Sequence, residues 1–217
     1  MNAKNHLLDQ VFDEIILRYK KAGLPLSSEI RDGIINKSVF DTQKTKILFI
    51  GKEHNQLNDT YDKGDARVWM NQYVNYNFSH RLAEWSHGIL NDFTAVEKIS
   101  EDQKKLALKS IAFINLKKVS GTNLTNPKEH YPYFECSVDL LSEQIKIIEP
   151  NLIILFTGWH GYADQLFTKS PDSGDLGSEV YKLDQNRVAI NFMHPSARAP
   201  KAASYYYLER LLLEYKL

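Results

Sequence analysis

The stretch ILFIGKEHN, residues 47–55, decides the fold class. It begins with apolar residues in a row and changes abruptly, at Gly51, to charged and polar side chains. Short apolar runs of the same kind recur at residues 111–116, 152–156 and 188–192. Uninterrupted runs rich in β-branched and aromatic side chains are typical of strands that are buried on both faces of a parallel sheet. The four runs therefore predict four parallel strands.

Segments with the apolar spacing of a helix lie before, between and after these runs. They cover residues 7–19, 82–89, 106–108, 138–148 and 204–217. The first of them ends at Gly23 and Pro25, residue types that are common just beyond the last turn of a helix. Because strands and helices alternate, the sequence predicts an α/β fold with a parallel sheet. No repeat or linker divides the chain, so we expect one domain over residues 1–217, with residues 1–40 as a helical segment packed on it.

The composition favours a globular protein without a membrane partner, and we expect no metal or organic cofactor. Hydrophobic residues make up 43% and charged residues 25% of the 217 residues, which suits a packed core. Cys136 is the only cysteine, so the chain lacks the thiolates of an iron–sulfur or structural zinc site. No stretch approaches the roughly 20 apolar residues of a membrane span. We expect a cytoplasmic monomer.

The chemistry is expected where the strands end, because ligands of open parallel sheets bind beyond the carboxyl ends of the strands. Gly51 permits a tight turn after the first run, and Glu53 follows as a carboxylate that can act as a base. Alternatively, Glu53 caps the next helix or pairs with Lys52 in solvent. Asn115 interrupts the second run, and its amide either bonds to neighbouring backbone or binds a ligand. The fourth run ends in HPS, residues 194–196, where the proline stiffens the turn that aims the histidine.

In their order and spacing, these strand ends resemble the motifs of the uracil-DNA glycosylase superfamily. The resemblance covers roughly residues 45–210. Glu53 matches the acidic residue of the superfamily's first motif in its GQDPY form, and Asn115 matches the base-recognising asparagine. The HPS of residues 194–196 matches the motif that precedes the DNA-penetrating loop, which would be residues 197–200 here.

The resemblance implies both a fold and a reaction. The fold would be a three-layer α/β/α arrangement with a central four-stranded parallel sheet. The reaction would be hydrolysis, by a monofunctional DNA glycosylase, of the N-glycosidic bond of uracil or a related deaminated base flipped out of DNA. Because Lys52, His54 and Asn55 depart from the first motif, a catalytically inactive nucleobase- or DNA-binding protein on the same fold is the alternative. A hydrolase acting on free nucleotides or another small molecule is a third option.

The resemblance also implies roles for the site residues. Glu53 would stabilise positive charge on the sugar or orient the attacking water, and His194 would donate a hydrogen bond to the base oxygen that becomes anionic. Asn115 would read the edge of the base, and Arg198 would fill the space that the flipped base leaves. The other residues implied in the base pocket are Gly51, Lys52, His54, Asn55 and Ser196.

An aromatic side chain would stack on the base, and Trp69 is our candidate, with Tyr61 as the alternative. The other interpretation of Trp69 is a core position. With 27 basic and 27 acidic residues the formal net charge is zero, so phosphate contacts would have to be local. They would come from Arg198 and from lysines that are otherwise a solvated surface, namely Lys117, Lys118, Lys128 and Lys201.

Overall fold

A computed structural model of the chain describes residues 3–55, 63–72, 74, 76–122, 125–158, 160–167, 171–173 and 178–215. The helices are Ala3–Lys21 (α1), Lys37–Phe40 (α2), Ala66–Gln72 (α3), Asn77–Leu90 (α4), Glu101–Lys109 (α5), Pro127–Glu135 (α6), Val138–Ile148 (α7), His160–Phe167 (α8) and Lys201–Glu214 (α9). The strands are Glu29–Arg31 (β1), Gly33–Ile34 (β2), Ile47–Gly51 (β3), Lys63–Asp65 (β4), Ala112–Asn115 (β5), Leu152–Leu155 (β6), Asp172–Ser173 (β7), Glu179–Lys182 (β8) and Val188–Asn191 (β9).

The four predicted strands are confirmed as β3, β5, β6 and β9, and neighbouring strands among them pair in parallel. Their order across the sheet is β5, β3, β6 and β9. Phe49 at the middle of β3 lies opposite Phe113 of β5 and Ile154 of β6. Nearly all residues of the four strands are buried, which explains why each gave a continuous apolar run.

The prediction of a four-stranded sheet is wrong in its extent, because the main sheet has seven described strands. β2 pairs antiparallel with β5 at one edge, and β8 and then β7 continue antiparallel from β9 at the other. β2 and β7 have two residues each and β8 has four. Two residues are too few for a periodic apolar signal, and in β8 the buried Val180 and Tyr181 are flanked by the charged Glu179 and Lys182, so it has no continuous apolar run.

Helices cover both faces of the sheet. Leu48 and Ile50 of β3 point to one side, where they share a core with α1, α6, α7 and α8, which we call the α1–α7 face. Ile47 and Phe49 point to the other side and share a core with α4, α5 and α9, the α4–α9 face. The sides alternate because successive residues of a strand point in opposite directions. The described chain is therefore a mixed α/β fold with a mostly parallel sheet between two helical layers.

Two segments differ from the expectations in their local structure. Residues 1–40 contain the predicted helix as α1, but they also contain β1, which pairs with β4, and β2, which joins the main sheet. The helix ends at Lys21, and Gly23 just beyond it has a φ of 69°, the left-handed conformation that favours glycine. The segment between Asn115 and residue 138, for which no helix was predicted, contains α6, with Pro127 in its first turn.

Candidate functional site

The order of the parallel strands predicts a crevice at the carboxyl ends of β3 and β6. The chain leaves β3 toward β5 on one side and later crosses back to β6 on the other. At such a reversal of strand order the two connections diverge, and ligands of open α/β sheets bind in the gap between them. The residues that follow β3, β5, β6 and β9 therefore surround one location. These include most of the residues predicted from the sequence.

Gly51 and Asn115 face each other at the ends of β3 and β5, where they are paired in register. A side-chain carbon at position 51 would lie 2.5 Å from Asn115 Oδ1 and 2.9 Å from a ring carbon of Phe156. Glycine is therefore required for close packing, because any other residue would push the amide and the ring away. Asn115 is buried, and its Nδ2 has no hydrogen-bond partner among the described residues.

Gly51→Ala is expected to lower the free energy of unfolding by about 1–3 kcal/mol, because the added methyl overpacks a filled site. Urea unfolding at neutral pH measures this cost. The control is the same substitution in an Asn115→Ala background, where the nearest clashing atom is gone, so the cost should be smaller. An equal cost in both backgrounds would contradict the close approach of position 51 to the Asn115 amide.

Three phenylalanines line the α4–α9 face beside Asn115. Phe113 and Phe156 are stacked with ring centroids 6.3 Å apart, and Phe78 from the start of α4 meets them edge-on at 5.8 and 5.7 Å. Sequence reasoning did not assign these residues to the site. Phe113 had a usable signal, because it lies two residues before Asn115 in the same strand and thus on the same face. Phe78 had none, since only the packing of α4 brings it there.

His194 lies against this aromatic wall, and its ring has a defined hydrogen-bonding state. Its centroid is 5.4 Å from that of Phe156 and 5.8 Å from that of Phe78. The backbone N–H of Ser196 donates to His194 Nδ1 at 3.1 Å, so the ring hydrogen is on Nε2. Burial lowers the pKa of His194, and the nearby charge of Lys52 lowers it further. The imidazole is thus neutral at pH 7, and its Nε2 carries an N–H that can donate.

His54 occupies the other end of the wall, between Phe113 and Trp69. Its ring centroid is 5.8 Å from Phe113 and 5.9 Å from Trp69. Its Nε2 is enclosed and finds no partner within the described ranges. Trp69 is 44% exposed and packs on Gly64, so it covers His54 from outside and is not a core aromatic. Tyr61, the alternative stacking residue, lies outside the described residues.

The enclosure of His54 predicts a pH-dependent stability. Burial lowers the pKa of this imidazole to about 4, so between that value and the ordinary pKa of about 6.5 only the unfolded chain takes up the proton. The resulting stabilisation is complete above the ordinary pKa and is lost as the pH falls through the lowered one. Its size is roughly 3 kcal/mol.

Urea unfolding of the wild type and of His54→Phe over this pH range tests the expectation. The phenylalanine keeps an aromatic ring between Trp69 and Phe113 but cannot titrate. The loss of stability on acidification should therefore be smaller in His54→Phe than in the wild type. Parallel pH profiles for the two proteins would exclude His54 as the titrating group.

Glu53 does not join this group of side chains. Its Oε2 accepts a hydrogen bond from Lys117 Nζ at 2.7 Å, and both side chains are nearly buried. The carboxylate lies against the backbone of Gly121, and the Lys117 ammonium lies 4.7 Å from the ring centroid of Tyr133 on the α1–α7 face. Glu53 therefore points away from the aromatic wall. The alternative of pairing with Lys52 in solvent also differs from the structure, because Glu53 pairs with Lys117.

A buried ion pair holds the backbone of Asn115. Lys118 Nζ lies 2.7 and 2.9 Å from the two carboxylate oxygens of Asp32, and both side chains have no exposed surface. Asp32 also accepts the Asn115 N–H at 2.9 Å, and Lys118 also donates to the Asn115 carbonyl at 2.7 Å. The prediction that Lys118 contacts phosphates is wrong, since its ammonium is fully enclosed. Nothing in the sequence marked Asp32 for this role.

The loop after His194 presents the remaining predicted side chains to solvent. Ser196 and Arg198 are exposed. Arg81 of α4 donates to the Ala199 carbonyl of this loop at 3.4 Å and to Ser204 Oγ of α9 at 2.6 Å. Two other predicted residues lie elsewhere. Asn55, after β3, is exposed and forms a β-bridge with the backbone of Gly121. Lys201, at the start of α9, pairs with Glu84 at 2.8 Å. Lys128 is exposed at the start of α6.

Comparison with known proteins gives no family for this chain. No protein-family model matches it, and no curated protein is significantly similar to it. Within the described residues, no group of three or more histidine, cysteine, aspartate or glutamate side chains is placed to hold a metal ion. Among the helices that are described, none is long and apolar enough to cross a membrane.

Proposed function

We propose that this protein is a DNA glycosylase that hydrolyses the N-glycosidic bond of uracil or a related deaminated base, on a uracil-DNA glycosylase-like fold. The observation that carries the proposal is the unpaired Nδ2 of the buried Asn115 at the carboxyl end of the sheet. An enclosed amide donor without a partner costs about 1–3 kcal/mol. A base carbonyl that accepts this hydrogen bond removes that cost. The amide oxygen of Asn115 can also accept a hydrogen bond from an imide N–H. Donor and acceptor together match the carbonyl and the imide N–H on one edge of uracil.

Hydrolysis would rest on stabilising the departing base. Negative charge develops on the base oxygen as the glycosidic bond breaks, and a fixed donor at that oxygen lowers the barrier. His194 supports this role because its neutral ring carries its hydrogen on Nε2. A neutral imidazole needs no proton from solvent to act at pH 7. The Ser196 N–H holds the tautomer in place throughout the reaction.

The aromatic wall would receive the face of the base. Phe156 and Phe78 lie beside His194, and base–aromatic stacking contributes about 1–3 kcal/mol per base. This contribution offsets part of the cost of unstacking a base from DNA, which is a few kcal/mol. Trp69 would then close the outer side of the pocket near His54. Arg198, exposed on the loop after His194, would enter the space that the base leaves.

The second candidate function is nucleobase or DNA binding without hydrolysis, and Glu53 favours it. In the described structure the Glu53 carboxylate is bonded to Lys117 and packed on Gly121. A carboxylate in this ion pair is not directed at the aromatic wall, where the base would stack. If hydrolysis needs a carboxylate at the sugar, Glu53 would have to leave Lys117. If leaving-group stabilisation suffices, the reaction proceeds without it.

Single-turnover incubation with oligonucleotides containing uracil, hypoxanthine or xanthine, both single- and double-stranded, tests the proposal. The wild type is compared with Glu53→Gln, which keeps the shape of the side chain and removes its charge. Release of base by both proteins supports a glycosylase that depends on leaving-group stabilisation, and loss in Glu53→Gln alone supports a catalytic carboxylate. If the protein binds oligonucleotides but forms no abasic product from any substrate, the glycosylase proposal is wrong and binding without hydrolysis is favoured.

A further inference from the structure

We propose that the Asp32–Lys118 ion pair is a positioning device for Asn115, which it holds by both backbone hydrogen-bonding groups. The inference rests on the proposed function of Asn115 in reading the base. It extends that function to two residues that would not touch the base themselves. Asp32 precedes β2, and Lys118 follows β5, so the pair also joins two neighbouring strands.

The geometry is that of a clamp around one residue. Asp32 Oδ2 accepts the Asn115 N–H at 2.9 Å, while Lys118 Nζ donates to the Asn115 carbonyl at 2.7 Å. The two side chains are bonded to each other by both carboxylate oxygens, at 2.9 and 2.7 Å. Rotation of either peptide group beside Asn115 would break one of these charge-assisted bonds. These bonds to the backbone of Asn115 therefore fix the direction of its Cα–Cβ bond.

Side chains from two helices, α1 and α7, form further hydrogen bonds with the two residues of the ion pair. Gln144 of α7 donates to Asp32 Oδ1 at 3.3 Å, and the backbone N–H of Lys118 donates to the Tyr19 hydroxyl of α1 at 3.3 Å. Burial disfavours both charges, and a buried pair is tolerated only where further hydrogen bonds satisfy its atoms. Here those further bonds include the peptide groups of Asn115. A pair that served packing alone would not need to bind this residue on both sides.

Positioning matters at Asn115 because its amide is already constrained on the other side. The amide oxygen lies 2.5 Å from the point that a Cβ at position 51 would occupy, which is the close approach described above. A small rotation of the backbone would move the amide either into Gly51 or away from the crevice. Displacement of a recognition group by about 1 Å can cost about 100-fold in rate. Loosening the clamp should therefore reduce base excision without removing any group that contacts the base.

The test variant is the double substitution Asp32→Asn with Lys118→Met, which removes both charges and the donor to the Asn115 carbonyl. The first readout is the side-chain amide signal of Asn115 in the ¹⁵N–¹H spectrum of the ligand-free protein, assigned by its absence in Asn115→Asp. The second is the single-turnover rate on a uracil oligonucleotide. We expect a shifted or broadened amide signal and a maximal rate lower by on the order of 10- to 100-fold, with a half-saturating concentration changed much less.

Two further variants keep the test decisive. Gln144→Leu loosens Asp32 without leaving a buried charge, so it should move the Asn115 signal in the same direction by a smaller amount, even if the double variant does not fold. Tyr181→Phe removes a buried hydroxyl that bonds to Asp164 near the opposite edge of the sheet, where three strands separate β8 from β5, and it should leave the signal unchanged. A folded double variant with the wild-type amide signal and rate would overturn the proposal. If the wild type excises no base, the proposed function fails, and the amide signal alone then decides on the clamp.

Discussion

His194→Ala is expected to lower the single-turnover rate of base release by on the order of 100- to 1,000-fold, the usual cost of removing one donor to a developing anion. The reason lies in the ring state: Ser196 N–H occupies Nδ1, so the Nε2 hydrogen is the one that can reach a base. The ring is exposed enough that alanine should not damage the core, so unfolding free energy should change little. Rates on a uracil oligonucleotide at saturating enzyme measure the effect.

Two amide substitutions act as matched controls for His194. The amide nitrogen of glutamine can take the place of Nε2, so His194→Gln should keep part of the rate. The amide of asparagine reaches only the position of Nδ1, so His194→Asn should resemble alanine. Equal rates for all three variants would mean that a donor at Nε2 is not used. Full activity of His194→Ala would remove His194 from the mechanism altogether.

The strands that carry the site were predictable because burial on both faces makes a strand uniformly apolar. Observed and predicted ends of β3, β5, β6 and β9 differ by one residue at most. The rule that ligands bind beyond the carboxyl ends then brings Asn115 and His194 to one edge. The sequence did not predict β2 and β7 because they have only two residues each, and it did not predict β8 because charged residues at both of its ends leave no continuous apolar run.

The direction of a side chain at the site was less predictable than its position. Glu53 and His54 are adjacent, yet one bonds to Lys117 beside the α1–α7 core and the other packs on Phe113 of the α4–α9 core. The Glu53 contact spans 64 positions of the chain. No local pattern encodes such a contact, because it depends on how the loop after β3 meets the loop after β5.

The partner of Lys118 was hidden for the same reason. Lys118 follows Lys117 in a short basic stretch, which by itself indicates a solvated surface. Its partner Asp32 lies 86 positions earlier, in the turn between β1 and β2, two strands that gave no sequence signal. A buried charge can be recognised only with its counter-charge, so the pair becomes visible when the fold brings the two segments together.

Lys118→Met is expected to lower the free energy of unfolding by about 3–5 kcal/mol, because it leaves the Asp32 carboxylate buried and unpaired. Methionine is close to lysine in length and volume, so the loss reflects charge and not a cavity. The Asn115 carbonyl also loses its donor. Chemical denaturation at neutral pH, monitored by tryptophan fluorescence and circular dichroism, gives the free energy and shows whether unfolding remains one transition.

Neutralising the counter-charge should recover most of this loss. In Asp32→Asn with Lys118→Met no charge is buried, and replacement of a buried ion pair by neutral groups is often close to neutral in stability. The double-mutant cycle should therefore give a large favourable coupling between the two positions. Additive losses would show that each side chain acts by itself. The pair contributes in two ways, to the stability of the fold and to the position of Asn115. A stable double variant that has lost base excision would separate them. The fold would then persist without the pair, while Asn115 would no longer be held in place to read a base.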